Sequence, residues 1–281
     1  MFGEIADLAT LVRAAQLLQA EGLRYALEAN RRRKYRNSGA LPWQFNEPYP
    51  MAACTSAVDY YARPKPAYYA VAQAYAPLHV SARFPTLAWA GRDHFEAELW
   101  LNNSRPEALA GARLTARLVE LDDRAAAVWS QAVAADANAA TPLLALDCPL
   151  DRVDGPAFFL DLALADAQGQ PLTANRYVFT RAANLAPLLA APPTALDVRR
   201  EEHGDAWALT LTATGSHAAL FAWLEDARPV DAAGYVAFSA NHFCLLPGEA
   251  RTVTVTWQGV PAPERRIAIS GWNFDGLLAH L

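Results

Sequence analysis

The densest set of groups able to do chemistry lies between Asn37 and Tyr61, in the run NSGALPWQFNEPYP followed by MAACTSAVDYY. Asn46-Glu47-Pro48 sets a carboxylate in a proline-bearing loop, where it can move a proton if its surroundings tune it. Glu47 has three readings: a catalytic acid, a ligand-contacting or loop-ordering residue, or a solvated loop carboxylate. Just before it, Trp43 offers a broad apolar ring with one N–H donor, its alternative being core packing. Asn46 both donates and accepts hydrogen bonds, and is equally an ordinary turn former.

No second centre of this kind stands out. Cys54, Cys148 and Cys244 lie far apart without CxxC or Cys/His spacing, so they read as buried free thiols rather than a disulfide framework or a zinc site. His94, His203, His217 and His242 share no ligand spacing. We expect no metal and no cofactor.

The elements that must position the Asn37 to Tyr61 segment follow from periodicity. Apolar residues from Leu8 to Leu27 recur every three to four positions, which predicts one or two helices from about Ile5 to Lys34, with Gly22 as the candidate break. Arg31-Arg32-Arg33-Lys34 closes that helix, and its cations complement the helix dipole as solvated groups. Asn37-Ser38-Gly39 turns the chain into Ala40 to Phe45, an apolar run of strand length. A polar loop and a helix near Pro66 to Tyr75 follow.

Beyond Ala76-Pro77 the period becomes two. Phe95, Ala97, Leu99 and Leu101 alternate with polar neighbours, as do Leu114, Ala116 and Leu118. With Phe158 to Ala165 and Arg176 to Thr180 they predict an antiparallel sandwich. A Pro- and Ala-rich linker from Leu185 to Pro193 leads to a second set, Trp207 to Leu211 and Val253 to Trp257, framing a second sandwich. The expected fold is mainly β: two consecutive immunoglobulin-like antiparallel sandwiches after an α/β segment. The domains are 1–78, 79–184 and 185–281.

The whole composition suits this. The chain has 281 residues, 53% of them hydrophobic, enough for two or three domains. A net charge of −5 argues against a general nucleic-acid binder. No run of about 18 apolar residues exists to span a membrane. Met1 to Thr10 carries acids where a signal peptide needs a basic start. With Met1 as the true start the protein is cytoplasmic; with a longer chain that absence says nothing about export.

Three stretches resemble glycoside hydrolase family 2, in particular its β-mannosidase branch. NSGALPWQFNEPYP with SAVDYY, Lys65 and Tyr68-Tyr69 resembles the eighth strand of the branch's (β/α)₈ barrel, the active-site loop and the following helix. FSANHFCLLPGEARTVTV, from Phe238 to Val255, is similar to its C-terminal immunoglobulin-like domain, and a sandwich lies between the two. The resemblance implies a retaining glycosidase with two carboxylic acids about 5–5.5 Å apart. They belong on the fourth and seventh barrel strands, so they are expected upstream of this chain, since such a barrel needs about 250 residues.

The implied function is the C-terminal portion of a β-mannosidase acting on terminal β-D-mannosyl residues, with this chain alone inactive. Trp43 would floor the sugar subsite, with Asn46, Glu47 and Tyr49 as further substrate contacts. Tyr49 stands where the family more often has tryptophan before the proline, which puts the sugar in question. Asn46-Glu47-Pro48 also resembles the acid/base motif of related barrels, but one helix and then sandwich strands follow it, where more barrel units would be required. Expected partners are a β-mannoside substrate and the N-terminal portion of the barrel, on the same or a separate chain; no nucleic acid or membrane is expected. The alternatives are an exo-β-glucosaminidase or β-galactosidase of the same family, or a non-catalytic carbohydrate-binding or interaction protein.

Overall fold

A computed structural model describes residues 1–51 and 53–280, with backbone only for 278–280. Ala52, inside the loop singled out above, and Leu281 lie outside the described residues. The chain divides into two compact units. One comprises Met1–Glu120 with Arg124–Pro187, the other Leu121–Asp123 with Leu188 onward.

The first unit opens with helix α1, Leu8–Arg32. Asp7 caps it by accepting from the Thr10 amide at 2.8 Å. The helix runs unbroken through Gly22: Leu17, Ala20 and Leu27 stay buried along one face, and this packing outweighs the ~1 kcal/mol propensity cost of glycine. The cations at its end are not simply solvated. Arg31 donates to the Ala74 carbonyl, and Arg32 donates to the Ala82 carbonyl and lies over the Tyr25 ring. Carbonyls at the end of the neighbouring helix and in the adjacent strand give these guanidiniums local partners that composition cannot reveal.

Residues 40–45 form no strand. Among the described residues no strand runs beside them, and Leu41, Trp43 and Phe45 are 96%, 83% and 65% exposed. An apolar run becomes a strand only when neighbouring strands pair its backbone, so its pattern suggests the element and its partners decide it. Helix α2, Pro66–Ala74, follows and packs on α1; proline at its first position suits a helix start.

Seven strands complete this unit: β1 Leu78–Arg83, β2 His94–Asn103, β3 Leu109–Glu120, β4 Ala125–Ala135, β5 Ala139–Pro149, β6 Ala157–Ala165 and β7 Pro171–Thr180. They form antiparallel sheets ordered β1-β2-β5 and β4-β3-β6-β7. Phe95, Ala97, Leu99 and Leu101 point inward against Leu114, Leu118, Phe158 and Phe179, as alternation requires.

The second unit includes helix α3, Ala186–Leu189, only in part. Its strands are β8 Leu196–His203, β9 Ala206–Ala213, β10 Ala219–Asp226, β11 Tyr235–Phe238, β12 Phe243–Leu245, β13 Ala250–Gln258, β14 Arg266–Ser270 and β15 Leu277–His280. The sheets are ordered β11-β13-β9-β8 and β12-β10-β14-β15. Trp207, Leu209, Leu211, Val253, Val255 and Trp257 face inward together. Gly248, with φ of +78°, makes the turn before β13. Of the three thiols only Cys148 is buried; Cys54 and Cys244 are partly exposed, because each lies at a loop or sheet edge rather than inside a core. No helix among the described residues is long and apolar enough to cross a membrane.

Candidate functional site

The segment from residue 40 to residue 65 is held by a small buried ion-pair cluster. Glu47, 6% exposed, accepts from Lys65 Nζ at 2.6 Å and from Ser56 Oγ at 2.7 Å. Lys65 Nζ also lies 2.8 Å from Ser56 Oγ, closing a triangle of three polar groups. Lys65 stands at the N-cap of α2, so the helix start fixes its stem. Ser56 is fully buried, and the carbonyls of Thr55 and Ser56 accept from Gln19 of α1 at 2.7 and 3.1 Å.

Backbone bonds tie the two sides of the loop. The Ala57 and Val58 amides donate to the Phe45 carbonyl at 3.1 and 2.8 Å, and the Lys65 amide donates to Ala57 at 2.9 Å. Asn46 bridges to Val58 in parallel sense, and the peptide joining Trp43 to Gln44 is cis. A tight base therefore carries an open rim. Trp43 is 83% and Tyr49 60% exposed, with Asn46 exposed between them.

The cluster decides what Glu47 can do. Its hydrogen bond from Lys65, and after it the one from Ser56, hold the carboxyl below its ordinary range. A general acid needs the opposite shift, toward the working pH. Glu47 is thus buried in a hydrogen-bonded ion pair rather than solvated, a setting that favours its charged form. A cleft of about 500 Å³ opens beside it, lined by Val12 and Gln16 of α1 and by Met51, Tyr60, Tyr61 and Lys65. Such a mix of aromatic, apolar and ionised groups can take a ligand with both apolar and polar faces.

Asn46, Glu47, Tyr49 and Trp43 lie on one loop, Glu47 buried and the others exposed, and of the four only Glu47 lines the cleft. Ser56 was not foreseen as a partner of Glu47. Lys65 had a signal of its own: only two lysines stand in a chain that otherwise uses arginine for its cations, so each retained lysine merits a look. A second buried network was also missed. Glu28 of α1 accepts from His79 at 2.9 Å, Asn175 at 3.0 Å and Tyr177 at 2.7 Å. Arg24 donates to Asn175 Oδ1 at 3.1 Å and lies 4.3 Å over the Tyr177 ring. Burial works against the Glu28 charge, yet His79 and Arg24 keep its pKa below the usual value. These groups fix α1, and with it the anchoring Gln19, on the first sandwich.

Comparison with known proteins meets this geometry. Residues 96–182 match the family described as the Mannosidase Ig/CBM-like domain, and residues 190–270 match the mannosidase Ig-fold domain. Both matched families are mannosidase domains, and together with the relatives below they support a C-terminal portion of a glycoside hydrolase family 2 mannosidase.

Beta-mannosidase B of Aspergillus fumigatus is 34% identical over 114 residues, 37% of this chain and 13% of that protein. Its Aspergillus niger counterpart is 40% identical over 80 residues, 27% of this chain and 9% of that protein. The exo-chitosanase CsxA of Amycolatopsis orientalis superposes on all of this chain with a TM-score of 0.81 at 21% identity, over 36% of its own length. The β-D-mannosidase of Dictyoglomus thermophilum does so over 98% of this chain with a TM-score of 0.75 at 19% identity, over 31% of its own length. At these identities the two structures establish a common fold. The chain spans about a third of each solved relative.

Proposed function

We propose that this chain is the C-terminal portion of a retaining β-mannosidase that removes terminal β-D-mannosyl residues. It contributes the last segment of the barrel wall and two accessory sandwiches, while the acid/base and nucleophilic carboxylates come from sequence outside it. The carrying observation is the exposed Trp43 indole on a loop anchored by the Glu47–Lys65 pair. A ring so held can stack on the C–H face of a sugar, with Asn46 and Tyr49 beside it as hydrogen-bonding groups and Glu47 fixing the loop. The lowered pKa of Glu47 supports a positioning role over proton transfer. Mannose is favoured because the sequence relatives found here carry the β-mannosidase name.

A second reading within the family, an exo-β-glucosaminidase, draws on the fold shared with the exo-chitosanase. Both readings are tested by assaying the chain alone and the chain combined with an N-terminal barrel portion on aryl β-mannoside and aryl β-glucosaminide. The expected result is no turnover alone and mannoside hydrolysis on combination. Turnover by the chain alone would overturn the assignment of the carboxylates, and preference for the glucosaminide would transfer the site to the second reading.

A further inference from the structure

At the C-terminal end of α1 a different cleft, of about 490 Å³, opens among that helix end, the turn from Lys34 to Ala40 and the strand ends that carry Asn102, Ser104 and Asn138. It shares no lining residue with the cleft beside Glu47.

Its charge is one-sided. Arg31 and Lys34 line it and no lining residue is acidic. The two cations converge on a single hydroxyl, Ser104 Oγ, at 3.2 and 3.3 Å. Burial, and after it the neighbouring Arg31 charge, lowers the pKa of Lys34, so an anion placed between them would relieve both burdens.

Its neutral groups ask for something more than an anion. Asn102, 2% exposed, donates its amide to the Arg31 carbonyl at 3.0 Å, while its Oδ1 is buried without a partner. Tyr35, 78% exposed, is pinned by its hydroxyl to the Asn138 carbonyl at 2.7 Å, and Tyr75 likewise to Ala40. Both rings are thereby fixed with apolar surface beside the cleft.

We propose that this cleft binds an acidic saccharide, a sugar bearing an oxyanion, with the anion on Arg31 and Lys34 and the sugar ring against Tyr35 and Tyr75. The anion can be a uronate carboxylate or a sugar phosphate, which present the same charge-assisted hydrogen bonding.

The test is calorimetric titration of the full 281-residue chain with D-glucuronate, glucose 6-phosphate, D-glucose and inorganic phosphate, followed by amide NMR. Saturable binding of glucuronate, glucose 6-phosphate or both, with a shift of the Asn102 side-chain amide signals, is the expected result; whichever binds tells carboxylate from phosphate. Glucose and inorganic phosphate should each bind at least about tenfold more weakly, as should the acidic sugar to Lys34→Met, the loss expected for one charge-assisted hydrogen bond. Should Lys34→Met fail to fold, Tyr35→Ala at a mostly exposed position replaces it, with several-fold weaker binding expected. Inorganic phosphate binding as tightly as the sugars would reduce the site to an adventitious ion only and overturn the proposal. So would equal binding of glucose, unchanged affinity in the folded variants, or no binding of either acidic sugar up to about 10 mM.

Discussion

Helix α1 is fixed to the first sandwich by buried ionised and hydrogen-bonded side chains, whereas the second sandwich closes over a largely apolar core. Glu28, His79 and Asn175 are all 2% exposed or less, and the carboxylate of Glu28 takes three hydrogen bonds at once. In the second sandwich the comparable place is held by Trp207 against Trp257, edge to face at 5.1 Å, with Leu209, Leu211, Val253 and Val255 around them. Apolar packing tolerates small shifts, but a hydrogen-bonded polar cluster has one geometry, and misplacing it leaves a charge uncompensated. The contrast matches what each region carries. Helix α1 holds through Gln19 the loop on which Trp43 stands. The polar cluster thereby orients a helix and the loop it anchors, and the apolar core of the second sandwich contributes burial.

The sharpest way to break this contrast is Glu28→Ala, expected to destabilise the first unit by ~3–5 kcal/mol in denaturant unfolding because it removes the buried acceptor shared by His79, Asn175 and Tyr177. A loss below ~1 kcal/mol would make the cluster ornamental. Leu209→Ala should cost a similar ~2–5 kcal/mol through the cavity it leaves.

Acidity separates the two. The folded-state pKa values of Glu28 and Glu47 are depressed below the ordinary glutamate value of 4.5. The stability they contribute is therefore fully present above that pH and is lost as pH falls below it toward their folded values. A urea series from pH 7 to pH 3 should narrow the gap between wild type and Glu28→Ala, while the Leu209→Ala gap stays constant.

Next in size, Glu47→Gln should cost roughly 1–3 kcal/mol by leaving Lys65 and Ser56 with a poorer acceptor. In the complete enzyme it should lower kcat/KM without removing the acidic limb of the pH profile; loss of that limb would make Glu47 a proton donor. Smallest in stability is Trp43→Ala, expected within ~0.5 kcal/mol of wild type at so exposed a site. Its effect should fall on function instead, lowering kcat/KM by about tenfold or more in the complete enzyme, equivalent to ~1–3 kcal/mol of transition-state contact. Unchanged kinetics would remove Trp43 from the substrate's path.

The alternating strands β2, β9 and β13 were legible because each presents one face to a core and one to solvent, and β-sheet side chains follow that division two by two. β1 escaped because five of its six residues are buried and nothing alternates. β4 and β5 escaped because alanines and partly exposed positions blur their pattern. For the site, the sequence placed Trp43, Asn46, Glu47 and Tyr49 together simply because they are close along the chain.

By itself, then, the sequence determined the local periods, the two sandwiches and the residues of one loop, since these depend on neighbours within a few positions. Tertiary structure alone decides whether Ala40 to Phe45 is a strand, and among the described residues no strand pairs with it, for a strand exists only beside a partner. It also decided that Glu47 pairs with Lys65, 18 positions away, and that Glu28 meets Asn175 and Tyr177, 147 and 149 positions away. Charge states and pairings are set by distance in space, which separation along the chain does not measure.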